Sequence, residues 1–569
     1  MIIEKTPRKF ISNDLEINSF ESIKPFFIDL LNRSISSKVE FEKWLEDRSE
    51  LDAVLEEDLA WRYIRMTIDT TNEEHANSYT FFVTQIQPEL APLDDQLNRK
   101  LMQNPFVKEY MHDDAYRIYF RSVETQLNLF REENVPIEAF LNEKSQEFGA
   151  ISGSQTIEHD GQQITMQKAA QFLKEQDENL RKSVFEKISI RRRKDVDALN
   201  DLYTELIKKR HELAINAGFE NFRDYKFQSL GRFDYTKEDC FNFHQAIKTL
   251  IVPLVREIQQ KKLDKLGKQK FKPWDADVDP EGKAPLKPFK SGKEMLDGTI
   301  SILSKIDSYF ADSIETMEEM GHLDLESKTG KAPGGYNYPL YEIGVPFIFM
   351  NAVGAQRDLV TMVHEAGHAV HSFLSRDLKL TGFKNLPSEV AELASMSMEM
   401  LTMNYWDLFY SNPDDLNRAK REQLEGILKI LPWIAQIDAF QHWVYENVNH
   451  SIEERYGYWK KLSTDYGTGL TDWIGYEDML ETSWQRQMHL FEVPFYYIEY
   501  GIAQLGALGV WKNSMEDYGC AVENYKEALK LGYTKSIPEI YETANVKFDF
   551  SESYLKSLAD FIKEELNRI

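Results

Sequence analysis

A mainly α-helical fold is the prediction for this chain, and three observations carry it. Apolar residues recur at three- and four-residue spacing between charged faces, as in "DLYTELIKKRHELAINAGF" (201–219) and "FNFHQAIKTLIVPLVREIQQKKL" (241–263). Proline (19) and glycine (27) are sparse in 569 residues and clustered, as expected of helices with short connections. Strand signals are few.

The first of them is "SQTIEHDGQQITM" (154–166), a hairpin turning on Asp160-Gly161. Near residue 200, "RKSVFEKISIRRRKD" gives way to long helices. This soft boundary separates an N-terminal helical region with the hairpin (1–200) from the remainder (201–569). Lys261 to Lys293 mixes Lys, Gly, Pro and Asp and predicts a long loop, its lysines solvated rather than gathered for phosphate. "GGYNYPLYEIGVPFIFMNA" (334–352) has the aromatic and β-branched content of one or two strands. A helix follows, with Asp358 as its N-cap and Leu359, Val360, Val363, Val370 and Phe373 as its apolar bulk. Another, in "NLPSEVAELASMSMEMLTMNYW" (385–406), opens at Pro387-Ser388.

Bulk composition excludes several functions. The formal net charge is -26, from 94 acidic and 68 basic side chains, a field that repels nucleic acid and anionic lipid. Two cysteines, Cys240 and Cys520, are too few for a disulfide framework or a thiolate zinc cluster, and they fit a reducing compartment. The N-terminal residues hold no apolar run of signal-peptide length, and no stretch of about 20 apolar residues exists to span a membrane. The expectation is a soluble, cytoplasmic protein.

The chemistry concentrates in "TMVHEAGHAVHSF" (361–373). His364 and His368 are four apart, about 40° of rotation and about 6 Å of rise on a helix, so both imidazoles project toward one point. Zinc accepts two such nitrogens at about 2.1 Å. Glu365 flanks the same face, where its carboxylate can reach a metal-held water without becoming a ligand. This His-Glu-x-x-His pattern has the chemistry of a zinc hydrolase. His371 sits about 10 Å further along the axis than His364, with no glycine to bend the chain, and is not expected to be a ligand. The third ligand should be a carboxylate from the 385–406 helix. Glu389, Glu392 and Glu399 lie there on roughly one stripe, and helical geometry does not choose among them.

With Glu392 standing 24 residues after His368 in "SEVAELAS", the chain resembles the oligoendopeptidase F family of zinc metallopeptidases, relatives of thimet oligopeptidase. "GKAPGGYNYP", "VPFIFMNAVGAQRDLVTM", "LIKKRHELAINAGFENFRDYKF", "PWDADVDPEGKAPLKPF" and "YKEALKLGYTKSIPEIYETANV" continue the likeness, from about residue 150 onward and more weakly before. The resemblance implies a large two-lobed helical metallopeptidase with a deep substrate channel, the catalytic domain at 201–569 and a small β element beside the metal helix. It implies one zinc ion on His364, His368 and Glu392, and oligopeptide substrates. The strand before the metal helix would lie along bound peptide, so main-chain groups around Phe349, Met350, Asn351 and Ala352 are expected to pair with it. In "RQMHLFEVPFYYIEYGIAQLG" (486–506), His489, Tyr496 and Tyr500 match a histidine and tyrosines that face zinc in the family, though the histidine-to-tyrosine spacing differs.

The implied reaction is hydrolysis of internal bonds in short unstructured peptides, with Glu365 as general base and a tyrosine phenol assisting the oxyanion. A zinc carboxypeptidase on a similar scaffold and a non-catalytic peptide-binding protein are the alternatives. Oligomeric state and cleavage preference are not encoded in any recognisable motif.

Overall fold

The computed structural model describes residues 2–569, and its chain is mainly helical, as the periodicity predicts. It forms two compact units, each stitched from three stretches. The first comprises Met1–Asn128, Pro285–Lys420 and Ala503–Phe548. The second comprises Leu129–Ala284, Arg421–Ile502 and Asp549–Ile569. Each unit thus draws on segments far apart in sequence. No helix among the described residues is long and apolar enough to cross a membrane.

The elements that matter to the site, in chain order, are helices α1 (Lys38–Ile68), α2 (Gln87–Gln103), α3 (Lys237–Ala246), α4 (Gln356–Ser375), α5 (Ser388–Thr402), α6 (Pro413–Glu446), α7 (Tyr497–Glu516), α8 (Tyr518–Lys530) and α9 (Ile537–Thr543). The strands are β1 (Thr156–His159), β2 (Gln162–Thr165), β3 (Leu323–Glu326), β4 (Tyr336–Tyr338) and β5 (Phe347–Ala352).

In the first unit, α1 runs from a Ser37 capping box, in which the Ser37 hydroxyl accepts from the Glu40 N–H and the Glu40 carboxylate accepts from the Ser37 N–H. Its Phe41, Trp44, Leu45 and Leu51 pack with Leu97 and Leu101 of α2 and with Phe383 into one apolar cluster. Further along, Ala60 and Ile64 of α1 meet Phe347 and Phe349 of β5. The sheet that α1 supports has the order β3-β5-β4, parallel on the β3 side and antiparallel on the β4 side.

In the second unit the predicted hairpin is present, β1 pairing β2 from Thr156↔Thr165 to His159↔Gln162. Asp160 (φ 50) and Gly161 (φ 75) are both left-handed, as a type I′ turn requires. Ile157 and Ile164 bury against Val184 and Ile188 of the helix Glu178–Arg193. The loop expected at 261–293 begins later, because the preceding helix continues to Leu266 and ends on Gly267 in the left-handed conformation. Two of its lysines pair with acids, Lys268 with Asp275 at 2.8 Å and Lys272 with Asp472 at 2.8 Å.

Candidate active site

The site is built on α4 and α5 of the first unit. Helix α4 starts three residues before the expected position. Ala355 is its N-cap, and Asp358 stands in the first turn rather than at the cap. Its Oδ2 accepts from the N–H groups of Ala355 (2.9 Å) and Val353 (2.8 Å), so the carboxylate ties the helix start to the end of β5.

Along α4 the imidazoles of His364 and His368 share a face, ring centroids 5.0 Å apart and planes at 85°. The two side chains keep 21% and 20% of their surface exposed, while Glu365 is buried at 6%. Gly367, between them, lets α5 approach. A Cβ there would stand 2.6 Å from Ser395 Cα and 2.8 Å from the Ala394 carbonyl oxygen. The close crossing brings Glu392 to the histidines, its Oε2 lying 3.4 Å from His364 Nε2 and 3.8 Å from His368 Nε2. Helix α5 is held in place by hydroxyls, Tyr525 of α8 donating to the Ala394 carbonyl at 2.7 Å and Tyr541 of α9 to the Glu389 carbonyl at 2.9 Å.

The three glutamates that helical periodicity left tied are separated by this crossing. Glu392 joins the histidines. Glu399 accepts a 2.7 Å hydrogen bond from His364 Nδ1, which fixes the ring and leaves Nε2 toward Glu392. Glu389, one turn earlier, is buried outside the donor set. Ser395 Oγ donates to Glu392 Oε2 at 3.0 Å and orients that carboxylate. Glu399 and Ser395 are supports that sequence reading did not single out for these roles; Gly367 is a third.

One donor atom each from His364, His368 and Glu392 lies within 4.8 Å of the others. Ligands at about 2.1 Å in a tetrahedral site stand about 3.4 Å apart, so the 3.4 and 3.8 Å separations suit one small divalent ion with little adjustment. The electrostatics also favour a cation. Burial pushes His364 down, but the Glu399 hydrogen bond and the Glu392 and Glu399 charges outweigh it and push the ring up to about 10. Burial pushes Glu365 up to about 7, against the His364 charge and with that of Glu392, while a backbone hydrogen bond from Asn337 of β4 opposes the rise. Burial also raises Glu392 and lowers His368. These carboxylates crowd a water-poor space that a divalent cation would neutralise.

His371 is not part of this set. It is 1% exposed and packs toward the Leu529 carbonyl of α8, with burial pushing it down to about 3.

The strand expected to pair with substrate, β5, is not an edge of its sheet. β5 is the central strand, with Phe349 registered against Asp324 on one side and Tyr336 on the other. Ala352 pairs with Glu326, the Met350 carbonyl accepts from the Lys331 ammonium, and Asn351 donates to the carbonyls of Ala332 and Gly334, both at 2.8 Å. Phe349 and Ala352 are therefore registered within the sheet, the Met350 carbonyl is taken, and Asn351 is held through its side-chain amide. The edge of this sheet beside Glu365 belongs to β4.

A family model described as peptidase family M3 matches residues 171–560, and one for the peptidase M3 N-terminal domain matches residues 10–130. The chain belongs to peptidase family M3. Among solved structures, the M3 chain is similar to PZ peptidase A with an inhibitor, at 28% identity, 99% coverage of both chains and a TM-score of 0.89. It is also similar to a putative oligoendopeptidase F from Bacillus anthracis str. Ames, at 26% identity, 98% coverage of both and a TM-score of 0.86. A curated relative, the oligoendopeptidase F homolog of Borreliella burgdorferi, is 28% identical over 220 residues, 37% of this chain. That match spans 36% of the relative's own length.

The remaining predicted residues of the M3 chain belong to the second unit. There His489, Tyr496 and Tyr500 gather with Tyr497, the His489 ring lying 6.3, 6.1 and 4.6 Å from Tyr496, Tyr500 and Tyr497. Gln487 Nε2 stands 2.7 Å from His489 Nδ1, and burial pushes His489 down to about 4. Phe495, just before the tyrosines, is left-handed at φ 66. A bulky residue in that conformation costs on the order of 1 kcal/mol, and here it is held from both sides. Its N–H donates to Gln441 Oε1 at 2.6 Å, and its carbonyl accepts from Arg232, which also pairs with Glu499 at 2.8 Å.

Proposed function

We propose that this chain is a zinc-dependent endopeptidase that hydrolyses internal bonds of short unstructured oligopeptides. The observation that carries the reading is the convergence of His364, His368 and Glu392 with the buried Glu365 carboxylate beside them. Zinc, when bound there, supplies Lewis acidity that polarises a carbonyl and acidifies water at neutral pH. Glu365 takes the proton of the attacking water and returns it to the leaving amine. Glu399 keeps His364 in the tautomer that leaves Nε2 free to hold the ion, and Ser395 orients the Glu392 carboxylate.

Substrate adds as a strand along β4, Tyr336–Tyr338, the sheet edge whose Asn337 backbone reaches Glu365. A phenol of the Tyr496/Tyr500 pair donates to the developing oxyanion, a role carried over from the family likeness and worth about two to three orders of magnitude in rate.

The test is mass spectrometry of one unstructured peptide of about ten residues, incubated with wild-type chain, Glu365→Gln, Tyr496→Phe or Tyr500→Phe. Internal cleavage by wild type, abolished in Glu365→Gln with zinc content unchanged, is the expected result. One tyrosine variant should fall about a hundredfold or more in kcat. Single residues lost stepwise from the C-terminus would replace the proposal by a carboxypeptidase. An intact peptide with zinc bound would replace it by a peptide-binding protein.

A further inference from the structure

Besides the His364 site, a second group of ligand-type side chains converges among the described residues, entirely within the second unit. Cys240 of α3 and Asp438 and His442 of α6 bring one donor atom each within 4.8 Å of one another. Asp438 and His442 are four apart, so they share a face of α6. All three are fully buried, at 1%, 0% and 2% exposure.

His244, one turn beyond Cys240 on α3, holds the carboxylate in place, its Nε2 lying 2.8 Å from Asp438 Oδ2. The other oxygen, Asp438 Oδ1, has no hydrogen-bond partner. The His442 Nε2 stands 3.2 Å from Asp438 Oδ2, and its Nδ1 has no hydrogen-bond partner. Buried polar atoms in folded proteins are nearly always satisfied. Here a carboxylate with one open oxygen and an imidazole with one open nitrogen meet a thiol inside an aromatic wall. The His442 ring lies 4.9 Å from Phe241, 6.0 Å from Phe227 and 5.4 Å from Phe495.

We propose that Cys240, Asp438 and His442 form a second, structural site for a thiophilic divalent cation of the zinc type, with His244 orienting the carboxylate. The donor chemistry selects the class. One sulfur, one imidazole nitrogen and one carboxylate oxygen suit zinc, whereas magnesium and calcium take oxygen sets. Binding releases the Cys240 thiol proton, and the thiolate and carboxylate then carry two negative charges that the ion neutralises in a dry interior. Sulfur and nitrogen ligands on one zinc stand about 3.6 Å apart, so loading draws the donors together by about an ångström at most.

The site ties α3 to α6 behind a functional turn. Gln441, adjacent to His442, is the acceptor that holds the left-handed Phe495, and Phe495 leads into Tyr496. An ion here stiffens the helix face against which that turn is built. Because no donor reaches solvent, the ion enters during folding and exchanges slowly.

The experiment is metal content by elemental mass spectrometry on full-length chain purified from zinc-supplemented cells, with cobalt spectroscopy on chain refolded with Co2+. Wild type should carry two zinc equivalents, the His364→Ala/His368→Ala chain one, and that chain with Cys240→Ser added close to none. The cobalt-refolded His364→Ala/His368→Ala chain should show sulfur-to-cobalt charge-transfer absorption, which the nitrogen and oxygen donors of the first site cannot give. One equivalent in wild type, with no sulfur band in cobalt-refolded wild type, overturns the proposal even where the variants fail to fold. Failure of the peptidase reading leaves the second equivalent and the sulfur band in place, so the two outcomes are separable.

Discussion

At the scale of single residues, the site shows how one helical stripe divides into different chemistries. Glu389, Glu392 and Glu399 are equivalent by periodicity, and their fates depend on where α5 crosses α4. Glu392 arrives at Nε2 of both histidines, and Glu399, two turns on, arrives at Nδ1 of His364. A carboxylate on the far nitrogen of a ligating histidine fixes its tautomer and raises its basicity. Glu399→Gln should therefore weaken zinc binding by about 10- to 100-fold, read by competition against a chromophoric chelator. Unchanged affinity would show that the 2.7 Å bond does not orient the ligand. His364, Glu365 and His368 were legible because their spacing is local. The partner of His364 was not, because it depends on the register between two helices.

At the scale of elements, the decisive feature is the α4–α5 crossing at Gly367. A glycine in mid-helix costs about 1 kcal/mol relative to alanine, so its presence inside "HEAGH" signals a packing demand. The demand is backbone approach: a Cβ would meet Ser395 Cα at 2.6 Å, and a main-chain atom cannot rotate aside. Gly367→Ala gains helix propensity and loses more to overpacking, roughly 1–3 kcal/mol, while pushing Glu392 away from the histidines. The expected result is a lower Tm together with weaker zinc affinity. A Tm equal to or above wild type would mean that the helices separate without cost. The strands show a related limit. β4 and β5 were visible in their aromatic content, but β3 is four residues long and pairs in parallel with a distant segment. That pairing makes β5 central and moves the open edge to β4.

At the scale of the whole molecule, burial of acids couples stability to pH. In the first unit, burial and then the charges of Asp52 and Asp94 push Glu56 of α1 up to about 8, and burial pushes Asp94 of α2 up to about 7. A carboxyl whose folded pKa lies above its unfolded value keeps its proton in the folded state while the unfolded chain releases it. Its contribution is fully present below about pH 4.5 and is lost as pH rises through 8. Glu56→Gln, which mimics the protonated form, should match wild type near pH 5 and exceed it in stability near pH 9. Allowing for the partial exposure of the side chain, the gap should be on the order of 1–2 kcal/mol. Thermal unfolding at the two pH values checks this, and a gap that does not widen with pH contradicts it.

The helical class, the hairpin at Asp160-Gly161, the His-Glu-x-x-His face and the pool of candidate carboxylates were written in the sequence, because each depends on spacing within a few turns of chain. The resemblance to the oligoendopeptidase F family rested on the same local motifs, and the match to peptidase family M3 bears it out. Tertiary structure alone decided which glutamate meets which nitrogen, that β5 lies inside its sheet, and that residues nearly two hundred apart, Cys240 and Asp438, share one buried point. Such contacts are fixed by how helices cross and how three separate stretches fold into each unit. Neither leaves a periodic trace along the chain.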